Sequence, residues 1–533
     1  MIRQAFTDLF ARLGSTTRRG IRPPTLRESS LRSRIMPTPM PDQLLLPLQD
    51  YADPLAREHD RIAPCVDVGD WVAKYQLLAK GKEPGSLRLH APTSGTVQAI
   101  EQIPAAAIGQ RPQLAIRLLT DADERELPLE PPSDYRALAP EQLVQLIEEA
   151  GICGLGGAGY PTARKIRDAV EKNVKTLIIN GVECEPYISC DEALLRERAS
   201  LTVKGAELLQ AACLADDCII VIDNAMPAAR KALTLALQGS SISLRVVRRR
   251  YPAGDERQLV KAICRREVPG EGHPPDVGVL VQNIGTAVAV YEAIVHAKPC
   301  ISRIVTLTGS ALLTPKNFDV PIGTPVQHLL TLCGVDDKQH EFTIRGGSLM
   351  GQYLLEQSAP IEKTTNCIIA SNSLEIPEWE TELACIRCGY CEQACPAQLQ
   401  PQQLLASIRS EERQQTLALG LDDCIECGAC AVVCPSRIPL VSYYRAAKEI
   451  HREEFTSHDQ SRHWQARFQY HQYRLKKNQD RAQPRKAVEQ TVKEAQGFSR
   501  DQARMEISAA VERVRRRRQA LAGEKDPGQE KSQ

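Results

Sequence analysis

"GICGLGGAGYPTARK", Gly151 to Lys165, sets four glycines in six residues before an aromatic, a proline and a cationic end. Its reading decides whether the middle of the chain holds a nucleotide. Gly154, Gly156 and Gly159 satisfy G-x-G-x-x-G, but the dinucleotide fingerprint needs a strand immediately before the loop. The preceding "APEQLVQLIEEA", Ala139 to Ala150, instead spaces Leu143, Val144, Leu146 and Ile147 along one face of a helix. No Gly-Lys-Ser/Thr follows the glycines, so the phosphate-loop NTPase signature is absent. Pro161 suits a first helical turn, and "ARKIRDAVEKN" continues it. The loop therefore opens a helix whose first backbone N–H groups can face an anion. Two readings stand on these residues alone: a nucleotide site and a plain helix-opening turn.

The length of 533 residues implies several domains, and 42% hydrophobic content is enough to give them cores. A net charge of +1 supplies no global field for nucleic acid. No uncharged apolar run approaches the roughly 18–20 residues of a membrane span. The best stretch, Val277 to Tyr291, is shorter and contains Gln282 and Asn283. "MIRQAFTDLFARLGSTTRRG" has no continuous apolar core of the kind a secretory signal carries. The expectation is a soluble or peripherally attached chain in the cytoplasm. Of 18 cysteines, eight crowd between Cys385 and Cys434. The scattered remainder read mostly as small buried apolar residues.

The crowded eight form two runs. "CIRCGYCEQACP" is Cys385-x2-Cys388-x2-Cys391-x3-Cys395-Pro396, and "CIECGACAVVCP" repeats it as Cys424-x2-Cys427-x2-Cys430-x3-Cys434-Pro435. Each is the bacterial ferredoxin run, in which three close thiolates hold corners of one cubane and the fourth reaches the other cluster. The expected ligand sets are Cys385, Cys388, Cys391 and Cys434 for one [4Fe–4S] cluster, and Cys395, Cys424, Cys427 and Cys430 for the second. A pair of zinc knuckles would use shorter CxxC pairs. Two clusters with interleaved ligands point to electron transfer.

Iron–sulfur clusters move single electrons, whereas a nicotinamide gives two as hydride; a flavin joins the two regimes. An anion-binding loop upstream of two clusters therefore suggests a flavin. "VKTLIINGVECEPY" supports it: a buried strand, Thr176 to Ile179, ends in Asn180, Glu183 and Glu185, and open α/β sheets bind ligands at strand carboxyl ends.

"GLGGAGYPTARK", "NGVECEPY", "YPAGDE" (Tyr251 to Glu256) and "VQNIGT" (Val281 to Thr286) occur in that order. Together they resemble the flavin and NADH segments of the NADH-binding subunit of respiratory complex I. The whole arrangement, from about residue 18 to 450, is more similar still to the RnfC (RsxC) family, a subunit of the Rnf (Rsx) ion-translocating ferredoxin:NAD oxidoreductase complex. The resemblance implies that Gly154, Gly156, Gly157 and Gly159 shape an FMN loop and that Lys165 pairs with the FMN phosphate. It places Tyr160 on the NADH adenine, Asn180 and Glu183 along the flavin, and Glu185 on the nicotinamide side as the catalytic candidate. Tyr251, Gly254 and Glu256 would close the pocket, and Gln282, Asn283 and Thr286 would reach the phosphate end. Val182 stands where complex I has an acid, and Gln282 replaces one of two paired asparagines. Arg22 stands where the Rnf family usually has histidine, and no function is attached to it.

The implied fold is multidomain α/β. Its expected divisions are an N-terminal arm (1–40), a lipoyl-like barrel-sandwich (41–130), an FMN/NADH-binding α/β domain (131–298), a β-grasp module (299–370), a two-cluster ferredoxin-like helical domain (371–450) and a charged helical, then disordered, tail (451–533). Gly69 and Gly95 fit tight hairpins of the barrel-sandwich. Its lysine-bearing tip is replaced by "KGKEPGSLRLH", which favours a scaffold. Arg515 to Arg518, like Arg248 to Arg250, is a candidate for anionic surfaces, although such runs are usually solvated. The resemblance implies a peripheral subunit on the cytoplasmic face of the bacterial inner membrane. Its partners would be other membrane subunits, NADH, and ferredoxin or flavodoxin through the complex, with no nucleic acid. A cobalamin reductase of the same layout and a flavin-free iron–sulfur relay are the alternatives.

Overall fold

The computed structural model describes residues 19–48, 62–83, 85–107, 110, 112–121, 123–270, 272–376, 381–494 and 500–523. Contacts divide the chain into two units, residues 1–450 and 451–533. In the first, an extended arm leads to β1 (Met36–Pro37). Two small sheets follow, built from β2 (Gln43–Pro47), β3 (Ala63–Pro64), β4 (Trp71–Val72), β5 (Leu77–Lys80), β6 (Arg88–His90), β7 (Gly95–Ile103) and β8 (Gln113–Thr120). Their orders are β2-β8-β7-β4 and β3-β5-β6. Strand alternation turns Leu44, Leu46, Leu78, Val97, Ile116 and Leu118 into the barrel-sandwich core. Gly69 occupies a turn at φ +97°, as expected. Gly95 does not: it lies within β7, paired with Val72 and Thr120, where a Cβ would strike the Leu119 carbonyl. Close strand approach, rather than a turn, requires that glycine. Within "KGKEPGSLRLH", Lys80 and Arg88 pair across the antiparallel strands β5 and β6, and Pro84 lies outside the described residues.

The next layer is a parallel sheet of β9 (Thr176–Gly181), β10 (Asp217–Asp223), β11 (Ser243–Val247) and β12 (Val279–Asn283), ordered β11-β10-β9-β12. Leu177, Ile178 and Ile179 of β9 are all buried, the continuous apolar run of a strand covered on both faces. Chain order reverses between β9 and β12, which makes that gap the topological switch point where such sheets bind ligands. Helix Cys190–Cys213 crosses helix Ile284–His296 so closely that a Cβ on Gly205 would meet the Ala287 backbone. Helices Pro140–Glu149 and Thr162–Glu171 flank the glycine loop, as the apolar spacing predicts; Pro161 caps the second rather than lying inside it.

A mixed sheet of β13 (Ser302–Thr308), β14 (Lys316–Pro321), β15 (Phe342–Arg345), β16 (Gln352–Tyr353) and β17 (Cys367–Ser371) carries helix Val326–Cys333, the arrangement expected of a β-grasp. Its order is β1-β14-β13-β17-β15-β16, so the N-terminal arm supplies the edge strand. Short helices then carry the two cysteine runs around Leu404, Leu405, Leu421, Ile438 and Tyr444. Equal sequence gives equal backbone: Arg387 and Glu426, each two residues after a first cysteine, have φ +55° and +53°, and Gly389 and Gly428 have +78° and +76°. The described part of the expected charged tail is the rest of helix Leu440–Glu494 and helix Arg500–Gly523; residues 495–499 and 524–533, like 1–18 of the arm, lie outside the described residues.

One buried cation ties the arm to the parallel sheet. Arg27 lies 3.1 Å from Glu192, 3.7 Å from Asp223 and 3.8 Å from Glu183, all shielded from solvent. Removing it strands three acids in low dielectric. Arg27→Ala should cost about 3–5 kcal/mol at neutral pH, read as a lower denaturant midpoint. The deficit should narrow on acidification, because the stranded carboxyls can then take protons on folding.

Candidate functional site

A cleft of about 800 Å³ opens at the carboxyl ends of β9 and β12, on the switch point. The glycine loop forms one side. Gly154 N–H donates to the Tyr160 carbonyl at 2.9 Å, and Gly159 N–H returns to the Gly154 carbonyl at 3.2 Å, which folds the loop tightly. Gly157 has φ +122° with open space where a Cβ would stand. Thr286 lies behind the loop, fully buried, and its hydroxyl accepts from Leu155 N–H at 3.0 Å. Gly154, Gly156, Gly157, Tyr160, Lys165, Asn180, Glu183, Glu185, Tyr251, Gly254, Glu256, Gln282 and Asn283 all border the cleft. Gly159 and Thr286 are not on its wall; they shape the loop from within and behind.

Several of these side chains already hold protein partners. Lys165 is paired with Glu256 at 2.5 Å, so an incoming anion would compete with that carboxylate. Asn180 donates to the Gly254 carbonyl at 2.8 Å, fixing the Tyr251 turn against β9. Asn283 caps helix Ile284–His296 through Gly285 N–H at 2.7 Å and donates to Asp191 at 2.7 Å. Glu183 accepts from Asp191 N–H at 2.9 Å and Glu192 N–H at 3.1 Å, at the N-terminus of helix Cys190–Cys213. Its two oxygens are thus anchored on the helix end. Glu185 accepts from Leu349 N–H at 2.9 Å and Met350 N–H at 2.8 Å, which brings the β-grasp loop onto the cleft. Gly347 must lack a side chain there, since a Cβ would overlap the Glu185 carboxylate.

Burial sets the charges. Burial and then the neighbouring Asp191 push the Glu183 carboxyl up to about 8, against Arg27 and the two helix amides. Asp191 is pushed up to about 6 by burial, opposed by the Asn283 hydrogen bond and Arg303. Glu185 is raised by burial against the Met350 and Leu349 amides. Sequence reading missed Asp191, Arg27 and the Arg345–Gly351 loop. "SCDE" after the strand and the glycines of "RGGSLMG" were the available signals.

The cleft suits a flavin mononucleotide by its own features. The Gln282 amide nitrogen is buried on the wall with no hydrogen-bond partner among the described residues, a donor placed for a ligand. The side-chain-free face at Gly157 lets a ligand approach the backbone. The volume is ordinary for a cofactor site.

The cysteine side chains of the two runs fall into two groups. One recess is lined by Cys385, Cys388, Cys391 and Cys434. In the other group, burial and then Cys424 and Cys395 push the Cys427 thiol up to about 12; Cys430 is raised by burial and then by Cys427, Cys424 and Cys395. Such thiols keep their protons until a metal displaces them. Among the described residues, the group of potential ligand atoms packed within 4.8 Å is instead Glu183, Cys190 and Asp191. A cubane spreads its sulfur ligands wider than a single ion does, so the cysteine sets do not need that closeness. The Cys427 group borders the cleft: Tyr251 donates its hydroxyl to the Cys427 carbonyl at 2.5 Å, and Ile425 lines the cleft wall. Cys385 and Cys388 are exposed.

The Glu183 shift has a stability consequence. Its native value of about 8 lies above its ordinary 4.5, so between those values the native state holds a proton that the unfolded chain has released. Stability is then full below the unfolded value and falls as pH rises toward 8. Glu183→Gln should flatten the decline between about pH 5 and pH 8 by up to about 1.4 kcal/mol per pH unit. An unchanged slope in denaturation curves would mean that the carboxyl ionises normally.

Residues 147–292 match the model of the Nuo51 FMN-binding domain, 15–122 the RnfC barrel sandwich hybrid domain, and 384–438 the 4Fe-4S dicluster domain. The chain therefore carries an FMN-binding domain and a dicluster domain. It is 43% identical, over 86% of its length, to the RnfC-type subunit of the ion-translocating oxidoreductase complex of Pseudomonas aeruginosa, and covers 58% of that relative. The corresponding subunit of Serratia proteamaculans is 44% identical over 80% of this chain and 60% of its own. The chain thus spans about three-fifths of the length of these relatives. A NAD+-reducing [NiFe]-hydrogenase in the H2-reduced state shares 19% identity over 58% of this chain and 62% of its own, with a TM-score of 0.43, a likeness too low to carry an argument. With barrel-sandwich, FMN-binding and dicluster modules in one order, and relatives above 40% identity along most of its length, the chain belongs to the RnfC family of ion-translocating oxidoreductase complex subunits.

Proposed function

We propose that this chain is the electron-input subunit of a membrane-bound ion-translocating oxidoreductase, passing electrons between NADH and ferredoxin-type carriers through FMN and two [4Fe–4S] clusters. The observation that carries the reading is the shared wall: Tyr251 borders the cleft and donates to the Cys427 carbonyl, so the flavin site and one cysteine set meet at a single side chain. FMN, when bound, converts a two-electron hydride into single electrons. The chain's own residues do the rest. Gly154, Gly156, Gly157 and Gly159 shape the loop, and Gln282 and Asn283 stand at its far side. Lys165 would exchange Glu256 for the phosphate. Glu185, held by the β-grasp amides, would give the nicotinamide side a fixed acid. Cys395, Cys424, Cys427 and Cys430 would hold the cluster nearer the cleft; Cys385, Cys388, Cys391 and Cys434 would hold the outer one. Among the described residues no helix is long and apolar enough to cross a membrane, so the ion path is assigned to partner subunits. The proposed setting is the cytoplasmic face of the bacterial inner membrane.

Anaerobically purified protein should contain about one FMN and about eight irons per chain, and NADH should bleach the flavin band. Iron at that level without flavin would leave a relay protein; activity on cob(III)alamin without membrane subunits would favour a cobalamin reductase. Lys165→Ala should weaken FMN retention by about tenfold or more while iron stays constant, the loss expected of a charged hydrogen bond. Cys427→Ala should lose about four irons and keep the flavin; loss of both cofactors would indicate misfolding instead.

A further inference from the structure

Residues 461–477 in helix Leu440–Glu494, "SRHWQARFQYHQYRLKK", carry Arg462, Arg467, Arg474, Lys476 and Lys477 and not one acid. Acids return only at the flanks, with Asp459 and Asp480. The same 17 residues hold Trp464, Phe468, Tyr470, Tyr473 and Leu475, every one exposed; Trp464, Phe468 and Tyr470 exceed three-fifths of their free surface. Four aromatic rings exposed along one stretch of helix mark an interaction surface.

The pattern narrows what that partner is. At 100° per residue, Trp464, Phe468, His471 and Leu475 fall at i, i+4, i+7 and i+11, one narrow stripe. A coiled-coil seam would continue that stripe in both directions, but the next positions are Ser457, Ser461, Asn478 and Ala482. Fewer than two heptads are apolar, too few to pair with a second copy of the helix. Tyr470 and Tyr473 lie off the stripe among the cations. Arg467 sits over the Trp464 ring at 5.2 Å and Lys477 over Tyr473 at 5.8 Å. Rings flanked by cations on several faces suit a headgroup layer, where Trp and Tyr settle with one side apolar and one wet. Five cations without an acid supply the attraction to anionic lipid. The segment spans about 25 Å, and among the described residues no helix qualifies as a membrane span, so the helix would lie in the surface plane.

We propose that residues 461–477 form an interfacial helix that docks the chain on an anionic bilayer, with Trp464, Phe468 and Leu475 inserted and Arg467, Arg474 and Lys477 on lipid phosphates. The surface stands on its own charge and aromatic pattern and does not depend on the flavin or cluster reading.

The test uses the purified full chain with phosphatidylglycerol–phosphatidylcholine vesicles and, separately, phosphatidylcholine alone. Co-sedimentation should be strong on the first, weak on the second and reduced by salt. In a Trp71→Phe, Trp379→Phe background, the remaining Trp464 emission should shift blue on binding. Each Lys or Arg near an anionic leaflet strengthens binding roughly fivefold, so Arg467→Glu with Arg474→Glu and Lys477→Glu should weaken it by about a hundredfold or more. Trp464→Ser with Phe468→Ser and Leu475→Ser should cost about tenfold or more. Replacing Arg515 to Arg518 by glutamine should change it by no more than about twofold. Flavin and iron content measured on each variant verifies that the rest of the chain is folded. Equal binding to phosphatidylcholine alone, indifference to the 461–477 substitutions, or dependence on Arg515 to Arg518 instead would overturn the proposal. So would binding to poly-L-glutamate as tight as to vesicles with no blue shift, which would make the surface one for an acidic protein.

Discussion

Arg27, buried among Glu183, Glu192 and Asp223, is the contact on which the candidate site depends. One guanidinium faces three carboxyl groups in low dielectric; Glu183 and Asp223 also accept from backbone N–H groups, and burial raises the proton affinity of all three. Arg27 also donates to the Glu183 carbonyl at 3.1 Å, so it fixes both the backbone and the charge of the strand end that leads into the cleft. The rest of the arm extends the same hold. Ile21 pairs with Tyr251, Gly20 N–H donates to the Ala394 carbonyl in the first cysteine run, and β1 joins the β-grasp sheet. The Ser30 hydroxyl meets Ser189 at 2.7 Å, and Asn317 donates to the Ser30 carbonyl at 3.1 Å. A short stretch with little secondary structure thereby straps the flavin sheet, the dicluster region and the β-grasp together.

The cleft solves its charge problem by using backbone amides. Glu183 takes two N–H groups from a helix end, and Glu185 takes two from the β-grasp loop. Both acids therefore stand at the site with fixed orientations and with elevated affinity for protons. Their partners come from different modules, so the cleft exists only when the parallel sheet and the β-grasp are docked. The unpartnered Gln282 amide is the counter-example that marks where the protein itself does not complete the wall.

Much of this was legible because chemistry imposed spacing. Cysteine ligands must sit at fixed short spacings, and the resulting runs mark the dicluster region directly. The helix before the glycine loop followed from apolar periodicity at Leu143, Val144 and Ile147, and the one after it from Pro161 and "ARKIRDAVEKN". Arg27 was not legible, because its worth lies in contacts with residues more than 150 positions away, and no local pattern encodes them. Asp191 was missed although "SCDE" follows the strand closely, because its Asn283 partner lies 92 positions away, and Gly95 was misread because a glycine needed for close strand approach looks in sequence like one needed for a turn. Lys165 was assigned to a phosphate, and the structure pairs it with the Glu256 carboxylate.

The two cysteine runs repeat each other's backbone turn for turn, yet their surroundings differ. Cys385 and Cys388 face solvent, whereas Cys395, Cys427 and Cys430 are buried, with Cys427 beside the Tyr251 turn. Under the proposed ligand sets, Cys395 and Cys434 each leave their own run to complete the other's cluster, so each run contributes to both sites. Metal binding is then folding free energy for the region as a whole. Because Tyr251 anchors the buried set to the cleft and the exposed set is bound to the buried one through Cys395 and Cys434, order propagates from the flavin wall to the surface. An electron carrier needs that continuity: its centres must be held at fixed separations by the same cooperative unit that holds the donor site.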